Sequence, residues 1–167
     1  MPRTSSAKPQ PTASRPRLIV RSSDIHAAGC YTIDPIKKGT RLCEYEGPRI
    51  TKEEADARYE NRFVTYLFGY GDKNMVIDGF GTPMFVNHSC APNCETEDDN
   101  DRIFVVALRN IAAGEELLYE YNLYDSDDDA QDCYCGAPQC RGTMFSEAEL
   151  LRRAKLARAK KKALQKK

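Results

Sequence analysis

The sequence predicts a mainly β domain of the α+β class, and three observations carry that prediction. Short runs rich in β-branched and aromatic residues recur along the chain, divided by Gly, Pro, Asn and Asp. One helix-start signal falls among them, so there is no regular alternation of strand and helix of the kind a parallel βαβ sheet needs. No segment repeats another.

The elements follow in order. Residues 1–17 are rich in Pro, Ser and Thr without an apolar period, and are expected to be a disordered tail. Residues 18–20 (Leu-Ile-Val) open the domain as a strand; 25–31 read as a loop, 36–40 as a turn and 42–45 as a second strand. Thr51-Lys52-Glu53-Glu54 is a capping box, which predicts a short helix to about Tyr59. Further strands are expected at 65–69, 75–78, 103–107 and 116–119. Ser146-Glu147-Ala148-Glu149 has the same box pattern and should start a basic C-terminal helix over 146–167.

A chain of 167 residues, 41% of them hydrophobic, suffices for one domain core with tails. No apolar run reaches membrane-spanning length and the N-terminus lacks a signal-peptide core, so no membrane partner is expected. The formal net charge of zero conceals a segregation. Residues 1–17 hold four basic side chains and no acidic one, 18–151 hold 12 basic and 25 acidic, and 152–167 hold nine basic and none acidic. An acidic domain attracts a Lys/Arg-rich protein partner, whereas the basic end makes nucleic acid a candidate partner of 152–167. The acidic stretches 98–101 and 125–129 read as solvated surface. A monomer is expected.

Seven cysteines, an odd number, argue against a complete disulfide framework and for a reducing, intracellular setting. Cys133, Cys135 and Cys140 have C-x-C-x4-C spacing. With one internal Cys they would meet the four soft ligands that tetrahedral zinc takes, and four thiolates leave no open position, so the metal would be structural. Cys94 lies close enough to Cys90 to compete for the internal place. Cys30 and Cys43 are expected to be small core residues.

Three motifs stand in a fixed order: Asn87-His88-Ser89-Cys90-x-Pro92-Asn93, then Glu116-Leu117-Leu118-Tyr119-Glu120-Tyr121, then the cysteine triplet. Together they resemble a SET-domain protein-lysine methyltransferase with a post-SET zinc segment, over about residues 18–145. The resemblance implies small sheets around a pseudo-knotted core, with 18–124 as the SET domain, 125–145 as the zinc segment and 146–167 as an appended helix. It implies S-adenosylmethionine as cofactor, held by His26, Ala28, Tyr66, Asn87, His88, Tyr134 and Met144. It favours Cys90 as the fourth zinc ligand beside Cys133, Cys135 and Cys140. Two positions depart from the family pattern. Ala27 replaces the first Gly of a Gly-x-Gly loop, which costs energy if that position needs a positive φ. Met84 stands where an Arg usually precedes the Phe-x-Asn-His run.

The chemistry explains the aromatic residues. Methyl transfer to an amine needs a neutral lysine, and in water its pKa of about 10.4 keeps it protonated. A desolvating, tyrosine-lined channel favours the neutral amine and aligns it. By resemblance, Tyr121 orients the amine, Tyr66 is the second active-site tyrosine, and Phe68 and Tyr119 line the channel. A hydroxyl at Tyr119 occupies space, which points to mono- or di-methylation. The expected function is therefore S-adenosylmethionine-dependent methylation of lysine in a histone tail or another basic protein. Two alternatives stand beside it: an inactive SET-like module that binds a lysine-bearing peptide, and a chromatin or nucleic-acid tether acting through 152–167. The nucleus is the expected compartment in a eukaryote and the cytoplasm in a bacterium.

Overall fold

The computed structural model describes residues 15–62, 64–70, 74–123 and 132–164. The expectations for most of the N-terminal tail, for 125–129 and for a boundary at 124/125 lie outside the described residues. Strands β1 (Leu18–Ser22) and β2 (Ala28–Thr32) form an antiparallel hairpin with Val20 opposite Cys30. Part of the stretch expected as a loop is therefore strand. Ala28–Thr32 lacks a long apolar run, but its Gly29, Cys30 and Thr32 pack inward.

Strand β3 (Arg41–Glu44) leads to β4 (Arg49–Thr51), which runs directly into helix α1 (Lys52–Tyr59). The capping box is complete: Glu54 N–H donates to Thr51 Oγ1 at 3.1 Å, and Thr51 N–H donates to Glu54 Oε2 at 2.8 Å. Strands β5 (Leu67–Tyr70) and β6 (Met75–Asp78) follow, and β4-β6-β5 form one sheet with Phe68 opposite Ile77. A 3-10 turn (Thr82–Phe85) then feeds the two-residue strand β7 (Asn87–His88).

Strands β8 (Cys94–Asp99) and β9 (Arg102–Ala107) complete a second sheet, ordered β3-β9-β8. The central strand is buried throughout Ile103–Ala107, as a covered strand should be. The edge strand β8 is exposed and acidic; Glu97 and Asp99 pair with Arg41 at 2.6 and 2.8 Å. Charge on an edge discourages pairing with another chain.

Strand β10 (Leu118–Tyr119) lies parallel to β7, with Leu118 opposite Asn87 and Tyr119 opposite His88. Asn93 clasps this segment. Its N–H donates to Leu118 O at 3.1 Å, its Oδ1 accepts from Leu118 N at 2.9 Å, and its Nδ2 donates to Glu116 O at 2.7 Å. A buried side chain thus supplies the ladder contacts that a neighbouring strand would otherwise make. Cys30, Leu42, Val86, Cys94, Val105, Ile111 and Leu117 form the core beneath the pair.

Helix α2 (Glu147–Leu164) closes the chain. Ser146 Oγ accepts from Glu149 N–H at 3.2 Å, so half of the expected capping box forms. The other half does not, because the buried Glu149 carboxylate turns to Arg152 at 2.7 Å and Arg153 at 2.8 Å. Those two guanidinium groups hold its acid down to about 2. Arg153 also stacks over Phe145, 4.1 Å from the ring centroid.

Candidate functional site

Four sulfurs gather where the C-terminal segment meets the loop after β7. Cys90, Cys133, Cys135 and Cys140 have their Sγ atoms within 4.8 Å of one another. Cys133 Sγ lies 3.8 Å from Cys90 Sγ and 3.6 Å from Cys140 Sγ, too far for a disulfide. A tetrahedron of about 2.3 Å metal–sulfur bonds has edges of about 3.8 Å, so the spacing fits a zinc site. Backbone amides add a second fit. Cys90 N–H points at Cys135 Sγ, Arg141 N–H at Cys90 Sγ and Gly142 N–H at Cys140 Sγ, each at 3.4 Å. Four thiolates around a divalent ion leave excess negative charge, and such donors offset it. Burial opposes ionisation of Cys135, yet the Cys90 and Ala137 amides bring its thiol down to about 6. Cys94 is excluded from the group: it is fully buried in the core, donates to Asn93 Oδ1 at 3.3 Å, and burial pushes its thiol up to about 12. Cys30 is buried and Cys43 packs partly buried against the same core, as expected.

Glu120 joins this cluster to the Asn-His strand. Its Oε2 accepts from Arg141 Nη2 at 2.5 Å, and its Oε1 lies 3.3 Å from His88 Nδ1. Tyr121 N lies at the same 3.3 Å from His88 Nδ1, and His88 Nε2 lies 3.5 Å from Cys90 Sγ. Burial lowers the His88 pKa against the pull of Glu120, so the imidazole is neutral at pH 7.

A cavity of about 390 Å³ opens beside β10, walled by Tyr45, Tyr66, Phe68, Val86, Tyr119 and Tyr121, with Met84 at its lining. The rings interlock: centroids of Tyr119 and Tyr121 are 4.9 Å apart, and those of Tyr45 and Phe68 are 5.1 Å apart. Tyr121 donates its hydroxyl proton to Val86 O at 3.2 Å, leaving its oxygen lone pairs free to accept. Burial pushes the Tyr121 phenol up to about 12 and raises that of Tyr119 well above its ordinary value, so both stay neutral. Tyr66, Phe68, Tyr119 and Tyr121 therefore share one cavity. Tyr45 joins them, its hydroxyl bonded to Tyr66 O at 2.8 Å. Sequence reasoning missed it among nine tyrosines; its place at the end of the expected strand 42–45, before Glu46-Gly47, was the signal.

The residues expected to hold a cofactor are partly gathered. Asn87 Nδ2 donates to Ala28 O at 2.9 Å and to Glu116 Oε1 at 2.8 Å, so Ala28, Asn87 and neighbouring His88 lie together. His26 is exposed, Met144 is half-buried, and Tyr134 is 75% exposed with its hydroxyl near Asp132. Ala27 does not have a positive φ, so its substitution for Gly carries no backbone strain. The glycine that matters is Gly29, where a Cβ would fall 2.1 Å from Glu116 Oε1. Glu116 also accepts from Ser23 Oγ at 2.8 Å and Tyr31 Oη at 2.9 Å, a hub the sequence did not announce.

The SET-domain profile matches residues 27–122. The chain is 39% identical over 143 residues to a histone-lysine N-methyltransferase, H3 lysine-4 specific, of Saccharomyces cerevisiae. It is 37% identical over 142 residues to the protein of that description from Candida albicans and 37% over 144 residues to that from Aspergillus fumigatus. Each match spans 77% of this chain and between 11% and 14% of the relative. The chain is thus similar to a small part of much longer proteins. It belongs to the SET-domain family.

Proposed function

We propose that this chain is an S-adenosylmethionine-dependent protein-lysine N-methyltransferase acting on a Lys/Arg-rich segment such as a histone tail. The observation that carries the proposal is the single cavity bounded by Tyr66, Phe68, Tyr119 and Tyr121, set beside the Asn87–His88 strand. The relatives' description as H3 lysine-4 methyltransferases supports the substrate class.

The amine must attack through its lone pair and so must enter neutral. Aromatic walls withhold water from an ammonium group and lower its pKa, which delivers that form. Tyr121, its proton committed to Val86 O, accepts from the amine N–H and aligns the nitrogen. S-adenosylmethionine, when bound, supplies the electrophilic methyl group. His26, Ala28, Tyr66, Asn87, His88, Tyr134 and Met144 would hold it. Tyr119 presents a hydroxyl that bonds to no other described residue, and we assign it to limiting space around a methylated amine, hence to mono- or di-methylation. Zinc on Cys90, Cys133, Cys135 and Cys140 would fix the C-terminal segment and take no part in the reaction.

We assign residues 152–167 to a polyanionic partner, nucleic acid foremost, and expect a nuclear monomer. The test is incubation with methyl-labelled cofactor and a panel of core histones and other basic proteins. Label on lysine of at least one protein is expected; a folded, zinc-loaded protein that labels none would overturn the proposal.

A further inference from the structure

Helix α2 is long, exposed and singular in its charge. From Arg152 to Leu164 the described residues include Arg152, Arg153, Lys155, Arg158, Lys160, Lys161 and Lys162, with no acid among them. Arg152 and Arg153 are occupied by Glu149. Lys155, Arg158, Lys160, Lys161 and Lys162 are exposed and form no ion pair with any described residue, although the domain they leave is rich in carboxylates.

The distribution of this charge around the axis discriminates among partners. At about 100° per residue, the five unoccupied cations span about 220° of the circumference, with Lys160 on one flank and Arg158, Lys162 and Lys155 on the other. Leu151, Leu156 and Leu164, all exposed, fall on different sides. A helix that lies on a membrane needs a broad apolar face, and the sector between Lys155 and Lys160 offers one leucine, Leu156, with Ala159 and Ala163. An acidic protein surface would neutralise one side and leave the opposite cations unsatisfied. The major groove of duplex DNA, about 12 Å wide, admits a helix of about 10–12 Å diameter between two rails of phosphate, and so meets the cations on both flanks. Arg158 and Lys162, at i and i+4, repel each other in the free helix, and phosphates on either flank would relieve that.

From this arrangement we infer that α2 is an arm that seats in the major groove of duplex DNA, without sequence preference, through Lys155, Arg158, Lys160, Lys161 and Lys162. The inference rests on the assignment of 152–167 to a polyanion and goes further by naming duplex geometry. The acidic body is repelled by the same phosphates, so the duplex is held at the helix while the cavity stays open to a basic peptide lying beside it.

Five phosphate contacts give a slope of about −4.5 in log affinity against log salt, or on the order of a 500-fold loss between 50 and 200 mM. The experiment uses the full chain and a labelled 20-base-pair duplex of mixed sequence, followed by fluorescence anisotropy across that salt range. Replacement of Lys155, Arg158, Lys160, Lys161 and Lys162 together by Gln keeps helix propensity and should abolish binding while leaving methyl transfer to a free peptide unchanged. A slope shallower than about −2, or full affinity in the five-Gln variant, would overturn the inference together with the polyanion assignment. Equal affinity for polyglutamate, for a single-stranded oligonucleotide or for phosphatidylserine vesicles would leave polyanion binding standing and overturn the groove.

Discussion

Glu120 is the residue through which the cysteine cluster reaches the tyrosine motif, and Glu120→Gln isolates that link. The substitution preserves shape but removes the charge that faces Arg141 at 2.5 Å. Both side chains are about one-fifth exposed, at 21% and 22%, so solvent screens the pair only partly. Two unit charges about 4 Å apart attract by about 4 kcal/mol at an effective dielectric of about 20, before desolvation is subtracted. A charge-assisted hydrogen bond is worth about 1.5–3 kcal/mol net, and we take about 2 kcal/mol. Arg141 Nε is already buried without a partner, so the guanidinium has little to fall back on beyond Phe145 O. At about 1.4 kcal/mol per decade, the equilibrium holding the cysteine segment against β7 should shift by roughly 30-fold. The assay is zinc transfer to a chromogenic chelator, with calorimetric cofactor affinity measured beside it. Both should worsen, and a Glu120→Gln/Arg141→Gln double variant should lose less than the sum of the singles. Wild-type zinc retention and cofactor affinity in Glu120→Gln, or strict additivity in the double variant, would show that Glu120 does not carry that link.

Tyr119→Phe deletes a hydroxyl at the cavity wall; mass analysis should show near-normal turnover with product shifted toward higher methylation, and an unchanged product would contradict the space-limiting role. Gly29→Ala drives a methyl group to 2.1 Å from Glu116 Oε1 and should destabilise the domain by about 1–3 kcal/mol in thermal melts, with cofactor binding weakened through Asn87. A melting temperature equal to wild type would show that Glu116 is not fixed. Glu149 titrates near 2 in the folded chain, below the ordinary carboxylate value. Its contribution to stability is therefore present above about pH 4.3 and lost as pH falls through about 2. Glu149→Gln should accordingly be less stable than wild type at pH 7 and indistinguishable from it near pH 2; a pH-independent difference would assign the effect to packing.

What the sequence disclosed depended on whether a feature was local. The Thr51–Glu54 box closed as read because all its atoms lie within four residues. Met75–Asp78 matched its expected bounds for the same reason. Strand β8 escaped notice because Glu-Thr-Glu-Asp-Asp has no apolar alternation; its ladder comes from β9, whose residues supply the buried face. The two-residue pairing of β7 with β10 and the Asn93 clasp join residues more than 20 apart, and no local pattern encodes them. Among site residues, the cysteine triplet was legible from spacing, but whether Cys90 or Cys94 joined it was not. The choice follows from which thiol faces the core. Glu116 and Tyr45 were invisible for the opposite reason: each is an ordinary residue made special only by what folds against it.

In the proposed function, the cavity beside Tyr121 is where a methyl group moves onto lysine. This is tested most directly by mass spectrometry of an H3 N-terminal peptide after incubation with S-adenosylmethionine and either wild-type protein or Tyr121→Phe. The expected result is one or two methyl groups on a single lysine with wild type. In Tyr121→Phe the rate should fall by at least about 100-fold, equivalent to about 2.7 kcal/mol of barrier, with the fold, zinc content and cofactor affinity retained. Equal methylation by both proteins would contradict the claim.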